Sequence, residues 1–172
     1  MRLEAMAVTI PHVDGHPNRV PFEGVLTVVN TASDKAPAGA RGHRVILTRE
    51  AAERALPSLL GMAVDYRPGW DGHDARRKIG LLTEANLVGQ RLTVRGYLYA
   101  RDFPEVTQAI RAQAPEAMGM SYELADARVD DMRAQVWKLT RVTFTGAAIL
   151  LREKAAYRAT SFRMERAAQL AV

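Results

Sequence analysis

The chain has 172 residues, the length of one domain, and its 48% hydrophobic and 25% charged residues are typical of a globular protein. The absence of cysteine excludes a thiol nucleophile, a disulfide framework and a cysteine-based metal site. The net charge of +5 would suit nucleic acid or an acidic partner, but there is no run of five like charges and no interleaved aromatic residues for base stacking. We therefore expect no nucleic-acid role, and no membrane role either, because no stretch approaches about 18 apolar residues.

The first third of the chain alternates strand patterns with turn-rich segments. Runs of apolar and β-branched residues predict strands at 5–10, 24–30 and 43–47. Thr31–Gly42, which is rich in alanine, glycine, serine and proline, predicts a flexible loop. Thr48 has the place of an N-cap, so a short alanine-rich helix is expected to begin there and to end at Pro57.

The remainder of the chain predicts more strands and one clear helix. Residues 63–66 are apolar, and strands are expected at 79–84, 91–99 and 118–124, with one or two more in 135–151. Residues 86–90 predict a hairpin loop, and 102–113 predict a helix because the apolar residues recur at helical spacing. From Ala155 the pattern has mixed helical character, and 158–172 are expected to form a C-terminal tail or helix.

These elements define the expected fold. About seven strands do not alternate regularly with the two or three helices, so a doubly wound parallel sheet is not expected. We predict an α+β fold with one domain over residues 1–172, a mostly antiparallel β-barrel surrounded by a few helices.

Of the four histidines, His73 has the context best suited to catalysis. It lies in a loop rich in glycine and proline, beside Asp71 and Asp74, which could orient the ring. His12 and His16 would suit a metal site only on a helix, and the glycine and proline around them disfavour one. We predict no metal site, while a metal-dependent hydrolase using these two histidines with His73 stays open as an alternative.

Ser121 is the serine with the most suitable setting for a nucleophile. Strand alternation places Gly119, Ser121 and Glu123 on one face, and a serine on a rigid strand is well preorganised. Ser58 sits at a helix end, where a cap or turn role is expected. The sequence has no Gly-x-Ser-x-Gly elbow, which excludes an α/β-hydrolase site. On pattern alone, the alternative that Ser121 is a polar-face serine without a catalytic role stays open.

Short motifs follow one another over about residues 20–160. They are Gly72-His73-Asp74, Arg77-Lys78-Ile79-Gly80, Gly96-Tyr97-Leu98-Tyr99, Met118-Gly119-Met120-Ser121, Phe144-Thr145-Gly146-Ala147-Ala148-Ile149-Leu150 and Lys154-Ala155-Ala156-Tyr157. Their order, with His73 and Ser121 48 residues apart, resembles that of the tailed-phage prohead (capsid maturation) protease family.

The resemblance implies a serine endopeptidase with a herpesvirus-assemblin-like barrel and no cofactor. Ser121 would be the nucleophile and His73 the general base. Many relatives place an acidic residue in the strand after the serine strand, where residues 140–145 here carry no carboxylate, so Glu123 is expected as the third member. The alternatives left open are Asp126, Asp130, Asp131, or a dyad in which Thr143 or Thr145 supports the histidine. The oxyanion donors would be backbone amides near the turn at residues 151–153.

The resemblance also implies partners and a place of action. The expected partners are phage scaffold and major coat proteins, with self-association, and the expected location is the host cytoplasm, inside the assembling prohead. The missing carboxylate at residues 141–145 favours an alternative, a catalytically degenerate, non-enzymatic capsid-assembly or scaffold protein of the same fold.

Overall fold

A computed structural model describes residues 10–166 of the chain, so the strand predicted at residues 5–10 lies almost entirely outside the described part. The helices and strands are, in chain order, β1 (Val20–Val28), β2 (Arg44–Leu47), α1 (Arg49–Ala55), β3 (Ala63–Asp65), β4 (Lys78–Val88), β5 (Arg91–Leu98), α2 (Pro104–Ala112), β6 (Met118–Val129), β7 (Val136–Leu151) and β8 (Ser161–Met164). Short 3₁₀ turns follow α1 at Leu56–Leu59 and β7 at Arg152–Lys154. Among residues 10–166, neither α-helix has the length and apolar character that crossing a bilayer requires.

The strands form one curled, half-barrel sheet of eight strands. Its order is β2-β7-β3-β4-β5-β1-β8, with β6 paired to β7. The pairs β1/β5, β1/β8, β3/β4, β4/β5 and β6/β7 are antiparallel, which confirms the predicted α+β, barrel-like class. One detail differs from the prediction, because β2 and β3 both run parallel to β7. Parallel pairs need long connections, and these pairs join strands far apart in sequence, so local patterns could not reveal them.

The strand β7 organises the sheet. It is a single strand of 16 residues, where one or two were expected. Ala147 pairs with Val64 of β3 and with Tyr122 of β6, so these two strands lie on opposite edges of β7. β6 is longer than the predicted 118–124 and follows β7 from Leu151 to Leu139. Residues from β3 and β6 are therefore positioned against one common strand.

The core is one cluster of buried side chains that come from the sheet and from α1. Thr48 caps this helix as predicted, its side chain accepting a hydrogen bond from the Ala51 amide at 3.2 Å. Burying a leucine- or phenylalanine-sized side chain contributes about 1.5–3 kcal/mol. The largest completely buried side chains are Leu26, Leu47, Leu59, Ile79, Leu82, Leu92, Leu98, Met120, Phe144 and Ile149.

The C-terminal helix expected within 158–172 is not found in the described residues. Ser161–Met164 form β8, antiparallel to β1, and only Phe162 is buried there. β8 approaches β1 closely at Gly24, which pairs with Phe162. A Cβ on Gly24 would lie only 2.5 Å from the Ser161 carbonyl oxygen, so this approach requires glycine. Thr160 accepts a hydrogen bond from the Met120 amide at 3.2 Å, which ties this end of the chain to β6.

The hairpin between β4 and β5 is tighter than predicted. The strands extend to Val88 and Arg91, so only Gly89 and Gln90 form the turn instead of residues 86–90. Gly89 has a φ of +60°, which glycine adopts without steric cost. Asn86 and Leu87, which were expected in the loop, are strand residues paired with Thr93 and Leu92.

Ser58 has a structural role that can be tested. Its hydroxyl accepts a hydrogen bond from the Phe144 amide of β7 at 2.9 Å. Ser58→Ala is expected to lower the free energy of unfolding by about 1–3 kcal/mol, because that amide loses its partner. Urea denaturation should show a lower midpoint with an unchanged m-value, and hydrogen exchange at the Phe144 amide should become faster. An unchanged midpoint together with unchanged exchange would contradict this role.

Candidate active site

His73 lies in the loop that joins β3 to β4, and the loop is anchored to the sheet on both sides of it. Before His73, the Trp70 carbonyl accepts a hydrogen bond from the Leu151 amide of β7 at 2.7 Å. After it, the Asp74 amide donates to Asp65 Oδ1, at the end of β3, at 3.2 Å. The sheet therefore fixes the position of the imidazole, although the residue belongs to a loop.

The two aspartates predicted to orient His73 are engaged elsewhere. Asp71 forms an ion pair with Arg67 at 2.8 Å, and the hydrogen bond from that guanidinium holds the pKa of Asp71 below its ordinary value. Asp74 accepts a hydrogen bond from the Arg76 amide at 3.0 Å, which is the main reason why the pKa of Asp74 is also lowered. Both carboxylates stabilise the loop, and neither forms an ion pair with His73 within the described residues.

Two other carboxylates face His73. Its Nδ1 lies 3.1 Å from Glu123 Oε1 and 3.6 Å from Asp65 Oδ1. Nδ1 is buried, but neither contact has the alignment of a hydrogen bond. The side chain of Asp65 is 5% exposed, and those of His73 and Glu123 are 23% and 33% exposed. Negative charge on this side of the ring favours a proton on Nδ1 and leaves Nε2 as the acceptor nitrogen.

The strand register places Ser121 on the same face as both carboxylates. Ser121 pairs with Ala148, and Ala148 pairs in turn with Asp65 across β7. Glu123 pairs with Gly146, and the register is regular from Met118 to Glu123, in agreement with the predicted grouping of Ser121 and Glu123. Paired residues project to the same side of a sheet, and two strand spacings of about 4.8 Å put Asp65 and Ser121 about 10 Å apart at the backbone.

Gly146 leaves room between these side chains. A Cβ at this position would lie 3.2 Å from Glu123 Oε2 and 3.6 Å from the Ala63 carbonyl oxygen. Because glycine has no side chain here, the Glu123 carboxylate can lie across β7 and reach the histidine. A larger residue at position 146 would therefore crowd the Glu123 carboxylate and displace it from its present position.

A groove of about 690 Å³ runs along this face, with His73, Ser121 and Glu123 in its wall. The rest of its lining is mainly apolar and includes Val45, Tyr122, Leu124, Val129, Trp137 and Leu139. Burial raises the pKa of the Tyr122 hydroxyl well above its ordinary value, so this wall residue is neutral. No hydrogen bond joins Ser121 Oγ to His73 in the described part of the chain; such contacts are often long before substrate binds.

None of the other candidates for a third member forms an ion pair or a hydrogen bond with His73 among the described residues. Asp131 accepts from the Arg133 amide at 2.9 Å, and Asp126 has a φ of +52° in the exposed part of β6. Asp130 is exposed in the turn that follows β6. The two threonine candidates, Thr143 and Thr145, form no hydrogen bond with His73 in the described structure, although Thr145 lines the groove.

Asp65 was not identified from the sequence. It ends a strand of only three residues, and its neighbours give no catalytic signal. Asp65, His73 and Glu123 form the one convergent group of potential metal ligands among residues 10–166, with their ligand atoms within 4.8 Å of one another. His12 and His16 do not belong to this group, and His12 lies in a different groove beside Asp14, so the metal site of His12, His16 and His73 is not assembled.

The turn expected to supply oxyanion donors lies beside the serine strand, but two of its amides are occupied. A Cβ on Gly119 would lie 3.1 Å from Arg152 Cα, so the turn packs against the strand two residues before Ser121. The Leu151 amide donates to the Trp70 carbonyl and the Arg152 amide donates to the Ala117 carbonyl. These two amides are therefore not free to stabilise an oxyanion in this structure.

Comparison with solved structures shows that this fold is shared with two proteases, one from KSHV and one from bacteriophage T4. KSHV protease, solved in complex with a hexapeptide phosphonate inhibitor, aligns with a TM-score of 0.55 and 12% identity over 86% of this chain and 65% of that chain. The bacteriophage T4 capsid assembly protease, gp21, aligns with a TM-score of 0.52 and 13% identity over 76% of this chain and 88% of that chain. No family model matches the sequence, and a search of curated proteins returns no significant match.

Proposed function

We propose that this chain is a serine endopeptidase of capsid maturation, with Ser121 as nucleophile and His73 as general base. The observation that carries the proposal is the position of His73, whose Nδ1 faces the Glu123 and Asp65 carboxylates at 3.1 and 3.6 Å in the wall of a groove that also contains Ser121. The fold supports it, because KSHV protease and the T4 capsid assembly protease share that fold.

The acylation step follows from the arrangement of the ring. Serine is a weak nucleophile at its free pKa and needs an adjacent base. With the negative charge of the carboxylates near Nδ1 favouring a proton there, Nε2 of His73 would take the proton of the Ser121 hydroxyl as Oγ attacks the carbonyl carbon of the scissile peptide bond. The imidazolium that forms is stabilised by Glu123 and Asp65, and it then donates its Nε2 proton to the leaving amine.

The second half of the reaction reuses the same groups. A water molecule replaces the departed amine, and His73 Nε2 accepts its proton while the water oxygen attacks the acyl carbon. The tetrahedral intermediate collapses with release of Ser121 Oγ, which regains its proton from His73. The carboxylates again compensate the transient positive charge on the ring. Acylation and deacylation therefore both depend on the contact between His73 and the two carboxylates.

The lining of the groove suggests the character of the substrate. Leu124, Val129, Trp137 and Leu139 would bury apolar side chains that flank the scissile bond. We propose that the substrates are segments of phage scaffold and major coat proteins, and that the chain acts inside the assembling prohead in the host cytoplasm. Its own self-association and self-cleavage belong to the same proposal.

A second candidate function is a non-enzymatic assembly protein of the same fold. It is favoured by the missing hydrogen bond between Ser121 Oγ and His73 in the described residues and by the missing carboxylate at residues 141–145. In that case head assembly would require the chain but would not require its serine. The two candidates therefore differ in whether Ser121 is chemically reactive.

A fluorophosphonate probe should distinguish them. We expect the probe to phosphonylate Ser121 Oγ, with fluoride as the leaving group, and tryptic mass spectrometry to find the added mass on the peptide that contains Ser121. Ser161→Ala, an equal change on another strand of the sheet, should leave the labelling intact, whereas His73→Ala should abolish it. Labelling of a different serine, or no labelling of a folded protein that still processes head proteins, would contradict the proposal.

A further inference from the structure

A second groove of about 690 Å³ lies beside α1 and the outer ends of β6 and β7. We call it the arginine groove, because Arg54, Arg128 and Arg141 line it. Its lining also includes Ala51, Thr140, Val142 and Thr143 and contains no acidic side chain. None of the three arginines forms an ion pair within residues 10–166. The groove therefore presents three guanidinium groups without compensating charge.

The placement of two of these arginines works against the stability of the sheet. Arg128 of β6 is paired directly with Arg141 of β7, and like charges in directly opposite positions destabilise a strand pair. The register shifts on both sides of Arg128, and such bulges redirect a side chain locally. Arg54 of α1 adds a third charge, and it is held in place by donating to the Thr140 carbonyl at 2.9 Å.

The arginine groove and the groove that contains Ser121 have no lining residue in common. Val129 and Leu139 are paired and line the groove of Ser121. Arg128 and Arg141 line the arginine groove instead. Because the two linings are separate, a ligand in the arginine groove would leave the lining of the Ser121 groove uncovered.

We propose that the arginine groove binds an acidic segment of a partner protein. The guanidinium fork matches a carboxylate in a bidentate geometry, and an anionic ligand would remove the repulsion between Arg128 and Arg141. The lining has no aromatic side chain on which a base could stack, which favours a peptide over a single-stranded nucleic acid. The inference does not depend on the proposed protease activity.

Binding can be measured with a fluorescein-labelled octaglutamate peptide as the probe. We expect anisotropy to show binding by the full chain at about 50 mM salt and clear weakening at about 300 mM, as screening requires. Arg128→Thr combined with Arg141→Thr should weaken binding at least tenfold. The same variant should unfold at an equal or higher temperature, because the repulsion between the two arginines is gone.

The matched control removes the same charge elsewhere. Arg95→Thr combined with Arg163→Thr changes two exposed strand arginines outside the groove and should alter binding less than about twofold. If the groove variant fails to fold, Arg128→Lys with Arg141→Lys keeps the charge and loses the fork, and it should weaken binding measurably. Equal losses in the groove and control variants, absence of binding by the unaltered chain, or tighter binding of an octathymidylate probe would each overturn the proposal.

Discussion

Replacement of Ser121 by alanine is expected to abolish cleavage of co-expressed scaffold and coat proteins. The loss in kcat should be roughly 10⁶-fold if Ser121 is the nucleophile that we propose, because the remaining groups cannot replace it. His73→Ala should cost about as much, and the double variant should be hardly worse than either single variant, since the two residues act as one unit. Processing is read from the masses of the head proteins after co-expression.

The same co-expression can show whether a loss of processing comes from chemistry. Ser161→Ala is a matched control, because Ser161 lies on β8 outside the groove of Ser121 and should leave processing at its original rate. Circular dichroism of Ser121→Ala should match that of the unaltered chain, since the side chain makes no hydrogen bond within the described residues. Full processing by Ser121→Ala would remove Ser121 from the mechanism.

Loss of both carboxylates behind His73 is expected to have the next largest effect. Asp65→Asn combined with Glu123→Gln should lower kcat about 10⁴-fold, because an amide can leave the imidazole in the wrong tautomer and cannot stabilise imidazolium. Each single variant should lose less than the double variant, since one carboxylate remains near Nδ1. Asp65→Asn retains an oxygen that can accept from the Asp74 amide, so the loop should stay anchored.

A kinetic comparison separates this role from a general structural one. Both carboxylates are proposed to act through His73, so the variants should change kcat while KM stays within about threefold. Asp71→Asn is the matched control, because Asp71 lies in the same loop but pairs with Arg67 instead of His73. An equal loss in Asp71→Asn, or a double variant that retains its kcat, would contradict the assignment of Asp65 and Glu123.

The local patterns of the sequence were sufficient for most of the individual elements. Thr48 as a helix cap, and Ser121 and Glu123 on one face of a strand, depend only on residues close in the chain, and both agree with the structure. The strand β8 was missed because only Phe162 of its four residues is buried, which leaves little apolar signal. Its pairing with β1 depends on the missing side chain of Gly24, at the other end of the chain.

The candidate site was only partly accessible for the same reason. Glu123 was identified because it follows Ser121 at the period of a strand. Asp65 was not, because its relation to Ser121 runs through two strand pairings with Ala148 of β7 and involves no local pattern. For Asp71 and Asp74 the local pattern was misleading. Their proximity to His73 in sequence predicts a contact with the ring, but in the structure each forms an ion pair with an arginine instead.

The glycine at position 146 offers a criterion for other chains of this fold. Because this residue has no side chain, the Glu123 carboxylate can lie across β7 at this position. The neighbouring position on that face carries only the methyl group of Ala148. In a chain with the same serine and histidine, a bulky residue at the place of Gly146 would occupy the space of this carboxylate and disfavour the acid–histidine contact. The size of one residue in the middle strand would then separate enzymes that use this carboxylate from those that need another support for the histidine.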